Sequence, residues 1–223
     1  MRPFSSVLLP LCVLLAGCGA YAPPTVGTAQ VGPLRARVTT EDWYPVKVGL
    51  RWTYRTLFRH EGTPEREGQP HVFAITRAGR EGARLERSYG GTQALPSRIV
   101  KTENEVRAMR WLEEDPAPNA HVVLLRLPPV TGARWQGRPL AGGAEETISC
   151  EGESPLTVEG KTYQALEVRH RITRPGFPTD ESNYWYARGV GMVRAVERLT
   201  ILVGTTPRRL EAELLLRSVE ESR

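Results

Sequence analysis

Lysine is nearly missing from this chain. Lys47, Lys101 and Lys161 are the only lysines among thirty basic side chains, so the formal charge of +5 is carried by arginine. The arginines are dispersed singly and nowhere form a block of five or six. That argues against a nucleic-acid partner, whose phosphates are met by clustered cations. Cysteine is scarce as well. Cys12 and Cys18 lie near the N-terminus, which leaves Cys150 alone in the body of the chain and without an intrachain disulfide partner. Its place after Ile148 in a strand-like run suits a small buried residue better than a reactive thiol.

Long apolar runs are also absent, since no stretch reaches the ~18 residues of a membrane-spanning helix. Hydrophobic residues at 40% and charged residues at 25% fit a water-exposed globular body instead. His60, His71, His121 and His170 show no H-x-x-x-H or H-E-x-x-H spacing. No C-x-x-C, G-x-S-x-G or G-x-x-x-x-G-K motif occurs. Gly189-Val190-Gly191 lacks the strand-helix setting of a dinucleotide site and reads as a turn. Glu113-Glu114-Asp115 sits beside Pro116 and Pro118 with no further spaced oxygen ligands, so it reads as a solvated loop rather than a calcium site. His170 falls on the apolar side of its strand and reads as a hydrogen-bonded core histidine rather than a base. The expectation is a non-enzyme with no catalytic residue, no metal site and no cofactor.

What is present begins with an address. Arg2 precedes an apolar core from Val7 to Leu15, broken only by Pro10, and Ala16 and Gly17 then lead to Cys18. This core is too short to span a bilayer and has the flanks of a secretory signal. The ending Leu15-Ala16-Gly17-Cys18 resembles the lipobox of bacterial lipoproteins. The resemblance implies cleavage after Gly17, lipid on the Cys18 sulfur and an acyl chain on its new amino group. The competing reading is an ordinary signal peptide cleaved after Ala20. Several acyl chains would hold a protein on a membrane stably, where one binds marginally. Gly19 rather than aspartate follows the cysteine, which by the lipoprotein pattern implies the outer membrane, with the folded part in the periplasm or at the cell surface. The domain division is therefore a signal peptide over 1–17, a lipidated Cys18 and flexible linker over 18–41, and a β-rich domain over 42–223. Pro23, Pro24, Gly27, Gly32 and Pro33 mark the linker.

From Asp42 onward short runs alternate with turn residues every 8–12 positions, which predicts an antiparallel all-β domain. The stretch 44–54 is its centre, because Trp52, Tyr54, Thr56 and Phe58 alternate with Thr53, Arg55, Leu57 and Arg59 at the period of a half-buried strand. A loop is expected over 61–70 and strands over 71–77 and 83–89. A hairpin about Glu103-Asn104 joins 97–101 to 105–112, the latter a strand or a short helix. A proline-bearing break covers 115–119. The apolar run 121–127 suggests a strand buried on both sides. Segments 155–158 and 161–172 flank a Glu159-Gly160 turn. Further strands cover 182–186, 192–196 and 199–203. Leu210, Ala212, Leu214 and Leu216 recur at alternate positions, as a sheet-closing strand or a helix.

The sequence Pro45 to Trp52 echoes Pro128 to Trp135, both reading P-x-x-x-G-x-R-W eighty-three positions apart. Turn geometry and an inward tryptophan explain both copies, as a duplication or as one turn used twice. Tyr44-Pro45 with Gly49 and Trp52, and Tyr184-Trp185-Tyr186 with Gly189, Gly191 and Val193, resemble a bacterial lipoprotein family without an established activity. Its members read Y-P-L-K-V-G-N-x-W-x-Y early and Y-W-Y-A-x-G-V-G-x-V late. Leu50 and Arg51 depart from that pattern, and Arg188 stands where proline is frequent. The resemblance implies a single curved antiparallel sheet or half-barrel, similar to the carrier proteins of the LolA and LolB type. Two functions follow as expectations. The first is a membrane-anchored lipoprotein with a structural or protein-binding β domain. The second is a carrier or sensor of a hydrophobic ligand or lipid, held on a concave face lined by Trp52, Tyr54, Trp135 and Tyr186.

Overall fold

Every regular element is a strand in the computed structural model, which describes residues 42–93, 96–110, 121–137, 143–203 and 206–222. The segment 1–17, Cys18 with the linker to residue 41, and the acidic and proline-bearing stretch 113–119 lie outside the described residues. In chain order the strands are β1 (Leu50–His60), β2 (Arg66–Glu67), β3 (His71–Gly79), β4 (Gly82–Tyr89), β5 (Thr92–Gln93), β6 (Ser97–Lys101) and β7 (Glu105–Arg110). They continue as β8 (His121–Arg126), β9 (Arg134–Gln136), β10 (Glu145–Val158), β11 (Lys161–Thr173), β12 (Asp180–Ala187), β13 (Gly191–Val203) and β14 (Thr206–Glu221).

All belong to one antiparallel sheet with the order β8-β7-β6-β4-β3-β1-β14-β13-β12-β11-β10-β9, and β2 and β5 are short additions to β1 and β4. The order describes two successive meanders. The first runs from β1 to β8 and the second from β9 to β14, and they join where β14 pairs with β1 along its whole length. The other two ends, β8 and β9, are the outermost strands and share no ladder. They nevertheless meet, because the Trp135 indole Nε1 on β9 donates to the Val123 carbonyl on β8 at 3.1 Å. The sheet is therefore rolled, with one paired junction and one unpaired seam.

Alternation divides the residues between the two faces of the roll. One inward row crosses seven strands as Trp135, Ile148, His170, Ser182, Glu197, Ala212 and Phe58, each opposite the next. Two residues along, Val168, Tyr184, Ala195, Leu214 and Thr56 form a second. The outward face carries arginines paired with carboxylates. Arg171, Glu181, Arg198, Glu211 and Arg59 stand opposite one another in alternating sign, with contacts of 3.3, 4.0, 2.7 and 2.7 Å. Each exposed pair is worth under ~1 kcal/mol, but opposite charges across strands favour this register over a slipped one. Charges spread singly in sequence become a compensated lattice in space.

Several expectations need correction. The run 121–127 is not buried on both sides: β8 is an edge strand whose Leu125 is buried while Val122, Val123 and Leu124 are half-buried. These half-buried side chains pack against the core from its edge. The stretch 61–70 is not all loop, since Arg66 and Glu67 pair with β1. Both helix alternatives give way to strands, β7 and β14. Finally, β10 is far longer than 155–158. A bulge between Cys150 and Gly152 breaks its alternation, and Pro155 is tolerated because β9 pairs only with Thr147, Ile148 and Ser149, leaving that side of Pro155 free.

Candidate functional site

The residues before β1 bind the chain's lead-in segment to the sheet. Asp42 pairs with Lys101 and its carbonyl accepts the Gly189 N–H at 2.7 Å, while Lys101 also donates to the Tyr44 carbonyl at 3.2 Å. Trp43, Pro45 and Val46 are buried, and the Arg188 guanidinium lies 4.3 Å from the Trp43 ring centre. Chain entering at Asp42 is thus fixed against β6 and the turn after β12.

The echoed motif makes the same turn twice. Leu50 N–H donates to the Lys47 carbonyl at 3.1 Å, and Ala133 N–H to the Val130 carbonyl at 3.0 Å. Gly49 and Gly132 have φ of 89° and 81°, and each donates to a neighbouring strand, at Ile75 and Cys150 respectively. Both tryptophans then turn inward and are buried.

The four aromatic residues expected to line a ligand face are deeply placed, with Trp52 4%, Tyr54 1%, Trp135 5% and Tyr186 3% exposed. Three spend their polar atoms on backbone carbonyls: Trp52 on Val190 at 2.7 Å, Tyr54 on Met192 at 2.9 Å and Trp135 on Val123 at 3.1 Å. All four belong to one buried core cluster. Trp135 lines a cavity of about 520 Å³ at the seam with Arg126, Leu127, Pro128 and Cys150. Cys150 is a buried free thiol whose pKa is raised by burial, in keeping with a packing role.

The inward residues that stay half-buried are different ones: Phe58, His71, Arg87, Tyr89, Tyr184 and Glu197. His71 Nδ1 lies 3.0 Å from the Thr56 hydroxyl and its ring 4.6 Å from that of Tyr89, and burial, reinforced by the Arg87 charge, lowers its pKa to about 4. It is neutral at neutral pH. The Tyr184 hydroxyl donates to Glu197 at 2.9 Å, and burial raises both pKa values. His170 is buried, with Nδ1 3.2 Å from Glu146 and Nε2 without a hydrogen-bond partner, while its ring meets Tyr184 edge-on at 5.0 Å. This is the hydrogen-bonded core histidine that alternation anticipated.

Arg87 is the residue sequence reasoning passed over. It stands opposite Phe73, which stands opposite Trp52, so it points into the roll. Its charge acts on Tyr44, His71 and Glu197. The signal was the same alternation: Ala83, Leu85, Arg87 and Tyr89 share a face, which makes Arg87 a cation on an apolar stripe. Among the described residues no group of three or more His, Cys, Asp or Glu is arranged to hold a metal ion.

No protein-family model and no curated protein matches this sequence. Among solved structures, similarity reaches a candidate exported protein of Bacteroides fragilis with a YmcC-like fold, at 14% identity and a TM-score of 0.46, covering 80% of this chain and 98% of that one. A candidate lipoprotein of Parabacteroides distasonis gives 10% identity and a TM-score of 0.33, over 80% and 98% of the two chains. The hypothetical lipoprotein YmcC of Escherichia coli gives 14% and 0.32, over 75% and 85%.

Proposed function

We propose that this chain is a lipoprotein of the bacterial envelope, acylated on Cys18 and held at the outer membrane, whose rolled sheet is a non-enzymatic structural or protein-binding domain. The observation that carries the reading is the Leu15-Ala16-Gly17-Cys18 ending of the apolar segment. The pinning of Asp42 and Tyr44 to β6 and to the turn after β12 supports it, because it gives a linker from Cys18 a firm point of attachment. Growth of an expressing Gram-negative host with an alkyne palmitate analogue should label the wild-type chain, and Cys18→Ala should abolish the label. An unlabelled wild type overturns the anchor.

A second reading, a carrier or sensor of a hydrophobic ligand, is favoured by the half-buried inward strip of Phe58, His71, Tyr89 and Tyr184. Aromatic surface left partly open inside a roll is surface an apolar chain can cover. This reading requires a neutral alkyl probe such as octanol to bind the protein saturably.

A further inference from the structure

A cation taken partly out of water is costly unless an anion or a set of acceptors meets it. Four outward arginines obey this rule. Arg59, Arg171, Arg194 and Arg198 each reach a carboxylate within 4.0 Å. Arg87 is the inward exception. Among the described residues its side chain makes no ion pair and no hydrogen bond, and its Nε is shut off from solvent without a partner. The carboxylate whose charge it acts on, Glu197, is instead engaged by the Tyr184 hydroxyl.

The surroundings are those of a headgroup site with an apolar approach. Phe73 stands directly across from Arg87, with Tyr54 at 5.1 Å and His71 at 6.3 Å from the Phe73 ring. His71, Tyr89 and Phe58 continue as a chain of ring contacts at 4.6 and 6.4 Å. All sit on the inward face of β1, β3 and β4. A guanidinium offers a fork of N–H donors that matches a carboxylate or phosphate oxygen pair. The rings beside it offer apolar surface and no positive charge, because His71 is neutral.

We infer that Arg87 is the anchor for the anionic group of an amphiphile, a carboxylate or phosphate, whose alkyl part lies along the aromatic strip of Phe73, Tyr89 and Phe58. The inference rests on the second reading above and specifies its ligand as acidic rather than merely apolar. The guanidinium takes the place of the water that would otherwise hydrate the headgroup, and the headgroup supplies a counter-charge in direct contact, which Glu197 acts on only from a distance.

Calorimetric titration of the full acylated chain in peptidiscs, with empty peptidiscs as the blank, tests it with octanoate, octanol and acetate as probes. Octanoate should bind the wild type about tenfold or more tightly than octanol, as expected for one charge-assisted bidentate contact. Arg87→Gln should erase that advantage and leave octanol binding unchanged, while Arg87→Lys should keep part of it. Acetate should bind far more weakly than octanoate. Equal affinities of octanoate and octanol for the wild type overturn the anchor, and would fit an Arg87 satisfied by Glu197 through water; this needs no variant to fold. Octanoate binding that survives Arg87→Gln overturns it too, with the apolar strip intact. Acetate binding as tightly as octanoate overturns the amphiphile in favour of a free small anion. If neither octanoate nor octanol binds, the anchor and the carrier reading fall together.

Discussion

Single side chains inside the roll are held by unlike means, and His71 shows how far one of them can bias stability. In the folded chain its pKa sits at about 4, below the 6.5 of an ordinary histidine, chiefly because burial penalises the imidazolium. The contribution of the neutral ring is therefore complete above about 6.5. It is lost as pH falls from there through about 4, where the unfolded chain takes up a proton that the folded chain refuses. Glu197 works in the opposite sense. Its raised pKa favours the fold at low pH, and that gain disappears as pH rises past its unfolded value of 4.5. Thermal melts of wild type and His71→Gln across pH 4 to 7 separate the two, because only the His71 contribution vanishes in the variant. The acid-side fall in melting temperature should be shallower in His71→Gln; an unchanged slope would show that the Thr56 contact or solvent already stabilises the charged ring.

At the scale of the element, much was legible because alternation and turn chemistry are local. The Glu159-Gly160 turn has φ of 47° and 78°, the two positive values a tight hairpin demands, and the strands on either side follow. Thr102 closes the Glu103-Asn104 hairpin, its hydroxyl accepting from the Asn104 and Glu105 N–H groups at 3.3 and 3.2 Å. Where alternation is interrupted, the reading failed: the bulge after Cys150 and the glycine at 152 hid most of β10. Whether an apolar strand lies at an edge, as β8 does, depends on pairing partners far off in sequence and has no local sign. Glycines show the same divide. Gly160 and Gly82 both have positive φ, but a Cβ at Gly160 would meet nothing within 4 Å, whereas at Gly82 it would lie 2.5 Å from the Ile99 carbonyl oxygen on β6. Gly160→Ala should cost about 1 kcal/mol for its backbone conformation alone, and Gly82→Ala about 2–3 kcal/mol, since β6 must move as well. Urea midpoints at constant slope measure both, and equal costs would mean that β6 yields freely.

For the whole molecule the consequential fact is the inequality of the two junctions between the meanders. Both meanders open on the same turn and the same inward tryptophan, yet Trp52 belongs to the strand that is fully paired with β14, and Trp135 to a strand that touches β8 through its indole. Alike in sequence, the two residues differ in what depends on them, which is why the echo could be seen in the sequence and its consequence could not. Replacing either by phenylalanine keeps an aromatic ring and deletes one part-buried hydrogen bond, a loss of about 1–2 kcal/mol. At Trp52 the orphaned carbonyl lies in the turn between β12 and β13, beneath the central strand, so the cost should appear as lower global stability. At Trp135 the bond spans the seam, and its loss should open β8 and β9 locally while the rest of the sheet stays closed. Amide hydrogen exchange distinguishes these outcomes. Trp135→Phe should speed exchange of β8 and β9 amides about five- to tenfold and leave β1 and β14 unchanged, whereas Trp52→Phe should speed exchange of the slowest amides throughout. Uniform acceleration in Trp135→Phe would mean that the seam is as integral to folding as the paired junction, and the roll would then behave as a closed barrel.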